Sequence, residues 1–189
     1  MEWRNPLPPL VNGAIDWLQQ NIQPDMKVFE YGSGTSTLFF SKFVKTLISV
    51  EHEKKLYERV LDQLNHFKKM TIAQAFFRYE YIPPEEYFFS FPYSHESFGT
   101  TDKKYLYHNF KNYVFYIKNF TSFDLVLING RARASCIKTA LPKIRKGGYL
   151  ILNNSLKFEY IDAINTFLNN YPRINFTNDN DQTAIWTIN

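Results

Sequence analysis

Apolar and polar positions change period along this chain, and each change marks an element. Between Leu10 and Ile22, Ile15, Leu18 and Ile22 share one helical face behind the prolines of "NPLPP". "MKVFEYG" follows as a continuous apolar run ending at glycine, the pattern of a buried strand, and a short helix is expected over Ser36 to Phe43. "TLISVEH" reads as a second strand. Lys54 to Lys69 reads as an amphipathic helix with Tyr57, Val60, Leu61 and Leu64 on one side. "AFFRYEYIPP" alternates like a strand and is stopped by Pro83 and Pro84. An irregular aromatic segment, "EEYFFSFPYSHESFGTTDKK", precedes a helix carrying Leu106, Phe110, Tyr113 and Ile117. "FDLVLING" is the next strand, "RARASCIKTALPKIRKGG" a helix closed by glycines, and "YLILNNS" a further strand. A helix around Tyr160 to Leu168 and two strands about the polar turn of "RINFTNDNDQTAIWTI" complete the pattern.

Strands alternating with helices imply an α/β fold: a doubly wound, mostly parallel sheet with a C-terminal antiparallel hairpin. The expected organisation is a single domain over residues 1–189, with an N-terminal helical extension at 1–24 and an aromatic insertion at about 83–104. In such sheets ligands sit beyond the carboxyl ends of the strands, where strand order reverses.

Composition narrows the partners. A net charge of +4 spread over scattered lysines gives no concentrated stripe for nucleic acid, and the N-terminus has no apolar run long enough for a signal or a membrane span. With a single cysteine, Cys136, no internal disulfide forms; a cytoplasmic protein is expected, with Cys136 as a small core residue. Aromatic residues reach 18%. Their concentration from Tyr81 to Phe98 suits either an acceptor pocket or lid, or a contact in a homodimer.

The chemistry gathers at "VFEYGSGTST". Gly32 permits a sharp turn and Gly34 lets backbone approach a ligand. A dinucleotide fingerprint would place a third glycine where Thr37 stands, and the lysine of a phosphate-binding loop is missing. Glu30, at the strand end, repels phosphate and welcomes an ammonium group. Glu51, closing the second strand, is placed to accept ribose hydroxyls. Ribose and an amine without pyrophosphate describe S-adenosylmethionine better than NAD.

"VFEYGSGTST", "ISVEHE", "FDLVLINGRARASC" and "GGYLILNNS" occur in the order found in class I S-adenosylmethionine-dependent methyltransferases. They most resemble a bacterial branch reading E-x-G-S-G-x-S-T, V-E-H-D, V-D-G-R-A-R-x-x-C and L-D-N. The resemblance runs from about Pro9 to about Tyr160 and includes "TTD" at Thr100 to Asp102, similar to a Ser-Ser-Asp of the branch. It implies a seven-stranded sheet with the last strand antiparallel. It also implies that Glu30, Gly32, Ser33, Gly34 and Ser36 line the methionine end of the cofactor, that Glu51 holds the ribose, and that His52 lies near the adenine.

Two positions depart from that pattern. Asn129 stands where the branch has Asp before Gly-Arg, and Asn153 where it has Asp before Asn. Amide carbonyls bind magnesium weakly, so no catalytic metal is expected. Methyl transfer gains much from holding donor and acceptor in line, and Asn129, Arg131 and Asp102 are the candidates for the reaction site. His95, His108 and Tyr93 are further candidate bases. Arg131 is read as a clamp for an anionic acceptor group; Arg133 stands equally as a clamp or as a structural ion-pair partner. The expected acceptor is a small molecule, because "INGR" replaces the [DN]-P-P-[YF] of base amino-methyltransferases. The competing reading is a cofactor-binding or interaction protein that has lost catalysis.

Overall fold

A computed structural model describes residues 6–67, 76–86 and 94–189. The strands are β1 (Lys27–Tyr31), β2 (Thr46–Glu51), β3 (Phe76–Tyr81), β4 (Glu85–Glu86), β5 (His108–Asn109), β6 (Phe123–Ile128), β7 (Ile144–Leu152), β8 (Arg173–Thr177) and β9 (Gln182–Ile188). The helices are α1 (Asn12–Asn21), α2 (Thr35–Phe43), α3 (Lys54–Phe67), α4 (Lys111–Phe115), α5 (Arg133–Ala140) and α6 (Ile161–Ala163), the last running on as a π-turn over Ile164–Leu168.

Seven strands form one sheet in the order β3-β2-β1-β6-β7-β9-β8, and β4 pairs with β5 in a separate two-stranded ribbon. Pairings from β3 through β7 are parallel; β9 runs antiparallel to both β7 and β8. The hairpin therefore returns inward. Its second strand lies against β7, and its first forms the sheet edge. The doubly wound α/β fold expected from the pattern is the one observed.

Alternation along the strands decides which face each side chain meets. Phe29, Tyr31, Val50, Val126, Ile128 and Leu152 pack with Tyr113, Val114, Ile137 and Ala140 of the α4–α5 layer. Val28, Leu47, Leu125, Leu127 and Ile151 pack with Ala14 and Leu18 of α1 and with Phe39 and Phe40 of α2. The N-terminal helix is thus part of the sheet's cover. Glu30 follows Val28 by two residues and so turns a carboxylate into the α1–α2 side.

Three boundaries differ from the sequence pattern. The helix begun at "RARASC" stops at Ala140, passes through a 3₁₀ turn at Leu141–Lys143, and Ile144 already opens β7. Pro142 removes an amide donor from that turn, and pairing of Ile144 with Phe123 captures the residues beyond it. The helix expected around Leu106 begins only at Lys111, because His108 and Asn109 pair with Glu86 and Glu85. The helix after Tyr160 is mostly π-turn. The expected end of α3 at Lys69, the start of the third strand at Ala75, and Tyr87 to Tyr93 of the aromatic segment lie outside the described residues.

Candidate functional site

Strand order reverses between β1 and β6, since β2 and β3 lie on one side of β1 and β7 on the other side of β6. The loops leaving the carboxyl ends of these two strands meet. At Gly32, φ is +87°, and a Cβ there would come within 2.5 Å of the Gly130 backbone. Only glycine satisfies both demands. A Cβ on Gly130 would in turn meet the Tyr113 hydroxyl. Gly34 differs: its φ of +155° with ψ of −141° is a region kept for glycine, and a Cβ would meet no atom within 4 Å. The loop backbone there faces open space.

Beneath the loop, Glu30 is fully buried. Its Oε2 accepts hydrogen bonds from Thr37 Oγ1 and Ser49 Oγ, both at 2.6 Å. The Gly34 amide donates to Thr37 Oγ1 at 3.1 Å, so this threonine ties the loop to the carboxylate. Glu30 Oε1 has no partner, and neither does Ser36 Oγ. Burial pushes the Glu30 carboxyl up to about 7; the neighbouring hydroxyls of Ser36, Ser49 and Thr37 oppose this, and the charge of Glu51 adds to it. Ser36 lies close enough to act on that carboxyl, though off hydrogen-bond geometry.

Glu51 is also buried, but fully served. Its Oε2 accepts from the Ser33 amide at 2.8 Å and from Ser33 Oγ at 2.9 Å. Its Oε1 accepts the amides of His52 and Glu53, each at 2.8 Å. Burial alone would raise this carboxyl; His52, the Glu53 amide and Ser33 outweigh it and hold the pKa below the usual value. His52 Nδ1 lies 2.8 Å from Glu51 Oε1, yet both ring nitrogens lack hydrogen-bond geometry to any partner. The ring instead meets Tyr105, Phe110 and Tyr113 edge-on. A cleft of about 380 Å³ opens beside His52, lined also by Tyr81, Pro83, Tyr105 and His108.

On the β6–β7 side, Asn129 Oδ1 accepts from Asn153 Nδ2 at 3.0 Å. Asn153 Nδ2 also donates to the Pro9 carbonyl, and its Oδ1 accepts from Thr183 Oγ1. Two carboxylates at this separation would need a shared proton or a cation between them; two amides satisfy each other. Arg131 donates to Asp102 Oδ2 at 2.6 Å and keeps a buried Nε without a partner. Burial would raise Asp102, but the Lys104 amide and the Arg131 guanidinium hold it below its ordinary value. The three reaction-site candidates therefore fall into one pair, Arg131 with Asp102, and one residue, Asn129, committed to Asn153.

Arg133 resolves as structural. It is buried, and donates from Nε to the Gly130 carbonyl at 2.9 Å, from Nη2 to that of Asn129 at 2.9 Å, and from Nη1 to that of Asn153 at 2.5 Å. One guanidinium thus stitches together the ends of β6 and β7. Among the candidate bases, His95 is turned to Asp162 and Phe167, away from the loop. His108 borders the cleft beside His52. Tyr93 lies outside the described residues. Cys136 is buried in the core, where burial raises its thiol pKa. Sequence reasoning missed Thr37, Ser49 and Tyr113. Thr37 stood out only as a departure from a glycine pattern. Ser49 becomes a partner of Glu30 only through parallel register. Tyr113 was counted as apolar helix face, although its buried hydroxyl lacks a partner.

No family model and no curated protein matches the chain. Solved structures match its shape. A methyltransferase-like protein from Silicibacter pomeroyi superposes with a TM-score of 0.66 at 14% identity, covering 97% of this chain and 89% of that one. An O-methyltransferase from Bacillus cereus, solved in complex with SAH, gives 0.61 at 12% identity, covering 96% and 84%. An rRNA methylase from Streptococcus thermophilus gives 0.55 at 12% identity, covering 92% of each chain. The chain shares the Rossmann-like fold of these methyltransferases.

Proposed function

We propose that this chain is an S-adenosylmethionine-dependent methyltransferase acting on a small-molecule acceptor without a catalytic metal. The observation that carries the reading is Glu30: a buried carboxylate with one unpartnered oxygen, under a glycine loop whose Gly34 faces open space at the sheet's switch point. An ammonium group is the chemistry such an oxygen lacks. Bound there, S-adenosylmethionine supplies an electrophilic methyl group on a sulfonium.

In this reading Glu30 Oε1 takes the amino group, and Ser33, Gly34 and Ser36 line the amino-acid end against the turn at Gly32. Glu51 meets the ribose, whose hydroxyl takes the place of Ser33 Oγ on its Oε2. His52 flanks the adenine in the cleft it borders. Asp102 fixes the Arg131 guanidinium, whose free Nε is a donor for an anionic acceptor group. Asn129, held neutral and oriented by Asn153, positions the acceptor rather than deprotonating it. The methyltransferase neighbours and the shared fold agree with this reading without identifying the acceptor.

Calorimetric titration with S-adenosylmethionine, S-adenosylhomocysteine and NADH tests it. The two sulfur compounds are expected to bind and NADH not. Gly34→Val is expected to abolish that binding, because its branched side chain enters the space the loop leaves open and cannot adopt the backbone angles held there, while the sheet and helices persist by circular dichroism. Unchanged affinity in that variant would remove the pocket assignment.

A further inference from the structure

Lysines scattered in sequence are gathered by the fold into one groove on the α4–α5 face, outside the site described above. Its volume is about 760 Å³, and His95, Glu96, Phe98, Lys111, Phe115, Lys118, Lys138 and Lys143 stand around it. Phe98 and Phe115 meet edge to face at 5.1 Å and form an aromatic floor. Phe98 holds φ of +53°, an uncommon conformation for a bulky residue, braced by its amide donating to Ser135 Oγ and its carbonyl accepting from the Phe110 amide.

The charges at the rim do not cancel. Lys138 pairs with Glu96 at 2.5 Å. Lys143 Nζ is anchored on the carbonyls of Lys118 and Phe120, which fix its position without neutralising it. Lys118 Nζ lies 3.5 Å over the Phe115 ring. Among the described residues, Lys111, Lys118 and Lys143 have no carboxylate partner. The groove is therefore lined by three ammonium groups without a carboxylate partner and by two rings, over one of which Lys118 lies.

We propose that this groove binds a nucleoside phosphate, either free or within a single strand of RNA. The phosphate answers the ammonium groups, which act as compact point charges. The base answers the rings, because every base has a face that stacks on an aromatic side chain. A phosphate drawing Lys118 away would uncover the Phe115 face for that contact. The size of the groove suits a ligand of nucleotide dimensions. A simple acidic peptide would use the charges and leave the rings idle. This inference stands apart from the methyltransferase reading and concerns a different surface.

The test is fluorescence titration of the full chain with N-methylanthraniloyl-ADP at several salt concentrations, comparing wild type with the double variant Lys111→Gln, Lys118→Gln. Binding is expected to weaken as salt rises, and the double variant is expected to lose about tenfold in affinity at low salt and to show a shallower salt dependence. Its melting temperature and its titration with S-adenosylhomocysteine should be unchanged. Phe115→Leu should weaken the labelled nucleotide while leaving the salt slope intact. Displacement of the probe by a dodecauridylate strand supports the RNA source; a failure to displace it supports the free nucleotide. Absence of binding, binding indifferent to the lysine variant, or equal displacement by polyglutamate overturns the proposal. Displacement by S-adenosylhomocysteine also overturns it, since the probe would then occupy the other site. Loss of S-adenosylhomocysteine binding alone would count against the methyltransferase reading and leave this one standing.

Discussion

Glu30 shows how one residue sets the chemistry of its surroundings. Its folded-state carboxyl titrates at about 7, against 4.5 for the ordinary group, chiefly because burial penalises the charge. Between those values the folded protein keeps a proton that the unfolded chain has released. Stability should therefore fall as pH rises from about 4.5 to about 7, by roughly 3 kcal/mol, and level off above that. Glu51 works in the opposite sense and below this window. Its lowered pKa contributes stability that is present above 4.5 and lost as pH falls through the folded value. Urea unfolding of wild type and Glu30→Gln from pH 5 to 8 isolates the first effect: the variant should lose the decline, and an unchanged difference across that range would refute it. Both carboxylates were legible in the sequence as strand-end acids. Their environments were not, because Ser49 reaches Glu30 only through strand pairing.

Among the elements, α5 is joined to the ends of β6 and β7 through a single side chain. Arg133 spends its donors on three main-chain carbonyls, two after β6 and one after β7. Strand ends that turn into loops leave carbonyls without ladder partners, and a buried group of this kind is costly to abandon. Arg133→Met keeps the bulk and removes the donors. It should destabilise the protein by roughly 3 kcal/mol, lowering the melting temperature by about 10 °C in a chain of this size. A melting temperature within a degree of wild type would show that water replaces the guanidinium. In sequence, Arg131 and Arg133 stand two residues apart in "GRARASC" and were given unequal roles only by their distance from the strand end. The structure separates them by burial: Arg131 is partly open and paired with Asp102, whereas Arg133 is enclosed. The premature end of α5 was legible in principle at Pro142. The glycines beyond it read as a helix stop, yet Gly148 lies within β7, where any Cβ would press on the Asp124 carbonyl.

At the scale of the whole molecule, the fold brings the β1 and β6 loops together and leaves Gly34 unobstructed between them. A ligand that binds only this arrangement stabilises all of it by mass action. S-adenosylhomocysteine at a hundred times its dissociation constant should add about 2.7 kcal/mol and raise the melting temperature by roughly 5 to 10 °C. NADH at the same concentration should leave it in place. A shift with both, or with neither, would mean that the loop does not discriminate as its carboxylate requires.

Sequence alone determined the strand–helix alternation and the glycine loop with its two acids and no phosphate-loop lysine. These are local properties, carried by period and by neighbouring residue types. It also placed the antiparallel hairpin, because two alternating runs about a polar turn allow little else. Tertiary structure decided everything that depends on residues distant in the chain. Pairing of β1 with β2 turned Ser49 onto Glu30. Packing of β7 beside β6 joined Asn129 to Asn153 and gave Arg133 its carbonyls. The layering of α4 against α5 drew separate lysines around two phenylalanines. Periodicity reports which face of an element is buried; only the assembled sheet determines which residues meet there.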